Sequence, residues 1–307
     1  RRRWAGRRQR WAGRRRLWAF GWHVPPIVAR QPGGGQSGHP GDPPRSAAKR
    51  SIPACTVSPV VVGPSALGES VQLSIVMPAY NERDYLAGAV ETVVAGLHAR
   101  GRSFELLVSE NGSSDGTAAE AQRLRCAHPE IRVLSSPVAD YGRALREGFS
   151  AARGAYVVNF DVDFVDLEFL DPAVAMLEAG EAAIVVGSKR GAGAADQRSW
   201  GRKLVTAVYT ALLQRGFGLG VSDTHGLKAL HRAEVAGIVA ACRFGADIFD
   251  SELVIRAERA GLAVRELPVS VADQRPPRSS IISRIPRSLV GLGRLRIALW
   301  TEARQRS

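Results

Sequence analysis

The sequence predicts an α/β protein: one mainly parallel sheet with helices on both faces. Three observations lead there. From residue 71 onward, short apolar runs alternate with amphipathic stretches in the order strand, helix, strand, helix. Leu73–Met77 and Ala155–Val158 are almost wholly apolar, as expected of strands buried in a sheet. Polar and acidic residues follow directly on those runs, and open parallel sheets bind ligands beyond the carboxyl ends of their strands.

Each element has its own signal. Leu73–Met77 reads as a strand stopped by Pro78. Asp84–Arg100 reads as a helix, because Leu86, Val90, Val93, Val94 and Leu97 recur at three- and four-residue steps. Phe104–Ser109 is the second strand. Gly112–Gly116 is a turn, with Asp115 expected to N-cap a helix over Thr117–Ala127. A third strand over Ile131–Leu134, a helix over Arg143–Arg153 and a fourth strand over Ala155–Phe160 follow. Glu168–Ala179 is then a helix and Ala183–Gly187 a fifth strand. The second half is less regular. It suggests a helix over Arg198–Arg215, a short strand over Leu227–Leu230, a helix over Asp250–Ala260 stopped by Gly261, and a strand over Val264–Val271. Leu289–Trp300 is expected to be an amphipathic helix, lying on the domain in preference to a membrane surface.

The net charge of +13 belongs to one end of the chain. Residues 1–50 hold 13 bases and one acid, Asp42, whereas the other 257 hold 29 bases and 28 acids. The first 22 residues repeat Trp-Ala-Gly-Arg-Arg at Trp4 and Trp11. Such a stretch suits RNA or an anionic membrane surface, and a disordered extension or mis-set start is the stronger reading. It lacks the apolar core of a secretory signal. Residues 31–70 are rich in Pro and Gly and read as a linker, so 1–70 is expected to be a disordered tail and linker. The folded domain is expected over 71–275, with a basic C-terminal segment and helix over 276–307. Three scattered cysteines, Cys55, Cys126 and Cys242, argue against a disulfide framework and for a reducing cytoplasm. No apolar run reaches the length of a transmembrane helix.

The residues that carry chemistry follow the strands. Asp161-Val162-Asp163 ends the fourth strand, and alternation places both carboxylates on one side, about 7 Å apart. Such a pair suits a hard divalent cation whose other ligands are phosphate oxygens. After strand one comes Pro78-Ala79-Tyr80-Asn81-Glu82, after strand two Glu110-Asn111-Gly112-Ser113, and after strand five Ser188-Lys189-Arg190. Together they form the layout of a site for a nucleotide, a divalent metal and a second anionic group. His225 has no nearby His or Cys and reads as structural or pocket-lining.

These segments carry a resemblance. Leu73–Glu82 resembles the opening strand and nucleotide-binding turn of the family 2 glycosyltransferases. Glu110–Thr117 resembles their Asp-Asp-Gly-Ser-x-Asp-Gly-Thr turn, Tyr141–Leu145 their Gly-x-Ala-x helix start, and Asp161–Asp163 their Asp-x-Asp. Within the family the chain is most similar to the dolichyl- and polyprenyl-phosphate mannosyl- or glucosyltransferases. The segments Gly187–Arg190, Ser222–Ala229, Glu252–Arg256 and Glu266–Val269 support this, and the likeness spans about residues 73–275. It implies a GT-A (Rossmann-like) fold, a single catalytic domain, and transfer from a UDP- or GDP-sugar with inversion. It further implies that Pro78, Ala79, Tyr80 and Glu82 line the nucleoside pocket, with Glu110 and Asn111 beside the base. Asp161 would reach ribose or metal, and Asp163 would ligate Mg2+ or Mn2+. Lys189, Arg190 and Arg202 are the candidates for gripping phosphates.

Two departures matter. Glu110-Asn111 replaces the family's Asp-Asp, which leaves uracil or guanine open. Val165 stands where some lipid-phosphate enzymes place a metal-binding Gln, and Asp166 is a substitute ligand. The expected acceptor is a polyprenyl- or dolichyl-phosphate, already ionised and needing no base. With a hydroxyl acceptor instead, Asp250 is the candidate base, or else the N-cap of its helix. The expected location is the cytoplasm, with a peripheral position at the inner face of the membrane left open. No specific nucleic acid is expected as a partner. The competing classes are a sugar nucleotidyltransferase, which would want a Gly-rich Arg-containing loop after strand one, and a non-catalytic transferase-like domain with an RNA-binding tail.

Overall fold

The computed structural model describes residues 71–188, 210–224, 226–245, 248–269 and 281–306. In chain order they form β1 (Leu73–Ala79), α1 (Arg83–Ala99), β2 (Phe104–Asn111), α2 (Thr117–Ala127), β3 (Ile131–Ser136), α3 (Tyr141–Ala151), β4 (Tyr156–Asn159), α4 (Leu167–Glu178), β5 (Ile184–Ser188), α5 (210–217), β6 (Lys228–His231), α6 (Arg232–Ala241), α7 (Phe249–Arg259), β7 (Val264–Pro268) and α8 (Ile281–Arg306). The tail and linker expected over 1–70 lie outside the described residues.

The strands make one seven-stranded sheet in the order β3-β2-β1-β4-β6-β5-β7. Every pairing is parallel except those of β6, which runs antiparallel between β4 and β5. That reversal matters for the site. The first residues of β6, not its last, reach the rim where the parallel strands end, and Lys228 pairs with Asn159 at the end of β4.

Side chains alternate across the sheet and feed two cores. Leu73, Ile75 and Met77 of β1 face α1, α2 and α4, where Leu86, Val90, Leu124, Phe169 and Leu177 are buried. Val76 and Leu107 point to the other face, covered by α3, α6, α7 and α8 through Leu145, Phe149, Val239, Phe249 and Leu295. Gly148 lets α3 close on the sheet, because a Cβ there would overlap Val76.

Several boundaries differ from expectation, for physical reasons. β1 runs through Pro78 to Ala79. Val76 O accepts from Phe160 N on the β4 side, and Pro78, two residues on, points its nitrogen the same way. β4 has ended at Asn159, so the missing N–H forfeits no ladder bond. Asp115 is not the N-cap itself. Gly116 holds that position with φ 98°, and Asp115 Oδ1 accepts from Thr117 N at 2.9 Å. Its Oδ2 accepts from Arg83 N at 3.2 Å, so one carboxylate serves the starts of two helices. Burial raises its pKa, but these donors outweigh that and lower it. The helix α6 was not foreseen, having only Val235 and Val239 as a buried pair.

Helix α8 extends well beyond Leu289–Trp300 and packs on the domain. Leu292, Leu295 and Leu299 join the core. Arg256 of α7 grips Glu302 through two bonds of 2.7 and 3.1 Å.

Candidate active site

The site lies at the rim where β1, β2 and β4 end and β6 begins. The turn after β1 is shaped by Asn81, at φ 54° in the left-handed region that Asn tolerates better than most residues. Its Oδ1 accepts from Ser114 N at 2.9 Å, and its own N–H bonds Ser113 Oγ at 3.0 Å. Glu82 N donates to Thr117 Oγ1 at 2.8 Å. These bonds clamp the β1 turn to the β2 turn. Ala79 is buried beneath, and Tyr80 stands 43% exposed.

Glu110 and Asn111, candidates for contact with a base, both carry structural bonds. Glu110 Oε1 accepts from Ser113 N at 2.6 Å, closing the turn. Asn111 Nδ2 donates to Ala79 O at 3.2 Å. Both are buried.

Asp161 and Asp163 do not alternate along an extended strand. β4 stops at Asn159, and Phe164 N bonds Asp161 O at 2.9 Å, so the pair sits on a tight turn. Val162 is buried within it, while Asp163 is exposed and Asp161 half-buried. The buried Phe160 and Val162 anchor the turn to the core on either side of Asp161. Asp166, the substitute metal ligand, is committed elsewhere. Its Oδ1 caps α4, accepting from Glu168 N and Phe169 N at 3.0 Å each.

The first residue of α3 completes this corner. Tyr141 Oη donates to Asp161 Oδ1 at 2.9 Å. Burial pushes the Tyr141 phenol well above its ordinary pKa, and the charges of Asp161, Asp250 and Asp163 push the same way. Carboxylates from two distant parts of the chain, the 161–163 turn and α7, thus bear on one hydroxyl.

Asp250 reaches the site as the second residue of α7. It does not cap that helix, whose N-cap position is Ile248. Its Oδ1 instead lies 2.7 Å from Lys228 Nζ, with Lys228 fully buried and Asp250 nearly so. Lys228 Nζ also donates to Gly226 O at 2.9 Å, and Lys228 N donates to Asn159 Oδ1 at 3.0 Å. One lysine therefore ties β4, the loop before β6 and α7 together, one residue before the Phe160–Asp161 turn.

Lys228 and Tyr141 were not singled out as site residues. A lysine inside the apolar run Leu227-Lys228-Ala229-Leu230 was the available signal, because a buried ammonium needs a partner. Lys189, Arg190, Arg202 and His225 lie outside the described residues. Glu252 and Arg256 serve structure: buried Glu252 accepts from Arg243 N, Phe244 N and Arg256 Nε, and Arg256 passes the link on to α8. Glu266 likewise holds the 222–223 segment, accepting from Ser222 N, Ser222 Oγ and Asp223 N.

Among the described residues no three His, Cys, Asp or Glu side chains form a metal-binding group. Asp161, half-buried, and Asp163, exposed, are two carboxylates on one turn. Mg2+ is commonly held by one or two carboxylates together with substrate phosphates and water.

Comparison with known proteins identifies the fold and the family. Glycosyltransferase AglD of Haloferax volcanii is 29% identical over 241 residues, covering 77% of this chain and 38% of its own. Dolichyl-phosphate beta-glucosyltransferase ALG5C of Trichomonas vaginalis is 28% identical over 261 residues, covering 79% and 76%. An undecaprenyl-phosphate 4-deoxy-4-formamido-L-arabinose transferase of Edwardsiella ictaluri is 29% identical over 174 residues, covering 55% and 52%. The chain thus spans less than two thirds of the Haloferax and Edwardsiella relatives. Among solved structures, glucosyl-3-phosphoglycerate synthase of Mycobacterium tuberculosis, with Mn2+, UDP-glucose and phosphoglyceric acid, superposes with a TM-score of 0.55 at 23% identity, over 73% of this chain and 79% of that one. The mannosyltransferase PcManGT of Pyrobaculum calidifontis, with GDP-Man and Mn2+, gives 0.52 at 20% identity, over 71% and 61%. Residues 74–239, more than half of the sequence, match the model of glycosyl transferase family 2. The chain belongs to that family and is a glycosyltransferase with a GT-A fold.

Proposed function

We propose that the protein transfers a sugar from a UDP- or GDP-sugar to a polyprenyl- or dolichyl-phosphate acceptor, with inversion and with Mg2+ or Mn2+. The observation that carries the acceptor class is the commitment of Asp250 to Lys228 in a buried ion pair 2.7 Å long. A hydroxyl acceptor must lose a proton to a base, and here the candidate base is already engaged by a cation. A lipid phosphate arrives ionised and needs none. The names of the Trichomonas and Edwardsiella relatives point to the same acceptor class.

In this reading Pro78, Ala79, Tyr80 and Glu82 line the nucleoside side, with the exposed Tyr80 offering a stacking surface. Glu110 and Asn111 hold that wall from behind. Asp161, oriented by Tyr141, and Asp163 hold the metal, while Lys189, Arg190 and Arg202 grip phosphates. When bound, the cation offsets the charge that develops on the departing nucleoside diphosphate. The acceptor phosphate oxygen attacks the anomeric carbon opposite the leaving group. One C–O bond forms as the other breaks, and the configuration inverts. The protein would then work on acceptors held in a bilayer, from a peripheral position on the membrane. No helix among the described residues is long and apolar enough to cross one.

A second reading, transfer to a hydroxyl with Asp250 as base, is favoured by one observation: Asp250 pairs with Lys228, which bonds Asn159 two residues before Asp161, so it reaches the end of the strand that leads to the acid pair. The deciding experiment offers UDP- and GDP-sugars with Mn2+ or Mg2+ to detergent-dispersed polyprenyl phosphate and to soluble hydroxyl acceptors. Product should appear on the lipid phosphate, be abolished by chelation, and show an inverted anomeric centre by NMR. If only the hydroxyl acceptors are used, and Asp250→Asn abolishes that transfer with donor binding intact, the lipid-phosphate mechanism fails.

A further inference from the structure

Helix α8 has two apolar faces, and the domain covers one. Leu292, Leu295 and Leu299 are buried in the core. At about 100° per residue, Leu289, Val290, Ile297 and Trp300 fall on the opposite side. All four are exposed, Ile297 by 64% and Trp300 by 54%. Scattered exposed apolar residues are ordinary, but four on one helix face form a stripe about 17 Å long. Arg287, Arg294, Arg296 and Arg304 are exposed around it, and Arg304 stacks over the Trp300 ring at 3.7 Å. The only acid of the helix, Glu302, turns inward to Arg256. The outward face is therefore apolar, aromatic and positively charged, with no carboxylate.

We propose that the outward face of α8 docks on an anionic lipid surface, with Ile297 and Trp300 entering the headgroup boundary and the arginines meeting lipid phosphates. Charge excludes the occupants nearest at hand. The chain's own residues 1–50 carry 13 bases against one acid, and a second copy would set arginine against arginine. The geometry also fits the acceptor. Gly291 packs so closely on Ile248 that a Cβ there would overlap it, and Ile248 lies two residues before Asp250. Near the start of the stripe α8 thus packs against the residue that leads into α7, the helix that carries Asp250. The inference deepens the lipid-acceptor reading, but its test is independent of transfer.

The test is co-sedimentation of the full chain with vesicles of phosphatidylcholine alone or with about one-third phosphatidylglycerol, without donor or polyprenyl phosphate. The wild-type chain should bind the anionic vesicles, weaken as salt rises, and ignore the neutral ones. Ile297→Ser with Trp300→Ser, and separately Arg294→Glu, should each lower the affinity about tenfold with unchanged thermal unfolding. The basic residues 1–50 are common to all variants and cannot produce that difference. Equal binding by wild type and variants overturns the proposal, as does equal binding to neutral vesicles. Loss of binding to an acidic peptide in the Ile297→Ser, Trp300→Ser variant, with no vesicle binding by wild type, assigns the face to a protein partner and also overturns it. A chain that docks but does not transfer contradicts only the proposed function; one that transfers but does not dock contradicts only this inference.

Discussion

The two ends of the sheet treat carboxylates in opposite ways. Where β1 and β2 begin, Glu105 is buried and saturated. Its Oε1 accepts from Ser74 Oγ at 2.7 Å and Arg153 N at 2.6 Å, and its Oε2 takes Arg132 Nη1 at 2.6 Å. Gly154 has no room for a side chain there, since a Cβ would come within 2.6 Å of Ser74 N. Where β1 and β4 end, Asp161 takes a neutral hydroxyl from Tyr141, and Asp163 stands exposed on a turn. Asp250, close by, is held by Lys228. A carboxylate surrounded by donors and a guanidinium has nothing left to offer a ligand. Carboxylates gathered on a turn with solvent-facing surface keep the capacity to take a cation. A carboxylate is a staple at one end and, in the proposed function, a ligand at the other, and its partners make the difference.

The sharpest way to break this comparison is at Asp163. Asp163→Asn should lower kcat/KM by roughly 100-fold or more while changing stability by no more than about 0.5 kcal/mol, as for an exposed group. Paired kinetics and denaturant titration would expose a structural role if stability fell instead. At the other end, Glu105→Ala should cost about 1–3 kcal/mol, because it strips the buried Ser74 hydroxyl and the partly exposed Arg132 of their shared partner. The activity of the folded fraction should not change, and a lowered kcat would tie that end to the chemistry.

Lys228 and Asp250 lie between these extremes, and a double-mutant cycle sharpens their assignment. Lys228→Met and Asp250→Asn, alone and together, should show a coupling of about 1–3 kcal/mol in unfolding free energy. Additive effects would mean that the pair contributes nothing as a pair. The smallest effect concerns Cys242. Burial first, then the charge of Glu252, pushes its thiol up to about 12 from an ordinary 9.0. The folded state thus retains a proton that the unfolded state releases above pH 9, so this residue's contribution to stability falls from about pH 9 toward 12. At pH 8 a thiol reagent should label the exposed Cys126 and leave Cys242 unmodified until the protein unfolds.

Much of this architecture was legible beforehand, for local reasons. The periodicity of Leu86, Val90, Val93 and Leu97 marks α1 because a helix buries one stripe, and that stripe is in the core. Asp161 and Asp163 were legible as a pair because their spacing is written in the chain. Their geometry was not, since the strand ends two residues before Asp161 and the alternation argument lapses there. Asp166 illustrates a second limit. The sequence does not distinguish a helix cap from a metal ligand, and only the position of the Glu168 and Phe169 N–H groups decides it.

The order of strands and helices from β1 to β5, the basic end of the chain and the acid pair follow from the sequence by itself, because hydrophobic periodicity and charge counts are local quantities. The reversal of β6 and the meeting of Lys228 with Asp250 required the tertiary structure, as did the turning of Tyr141 onto Asp161. The partner of a buried charge depends on register between strands far apart in sequence. Lys228 finds Asp250 only because β6 enters the sheet antiparallel, with its first residue beside Asn159.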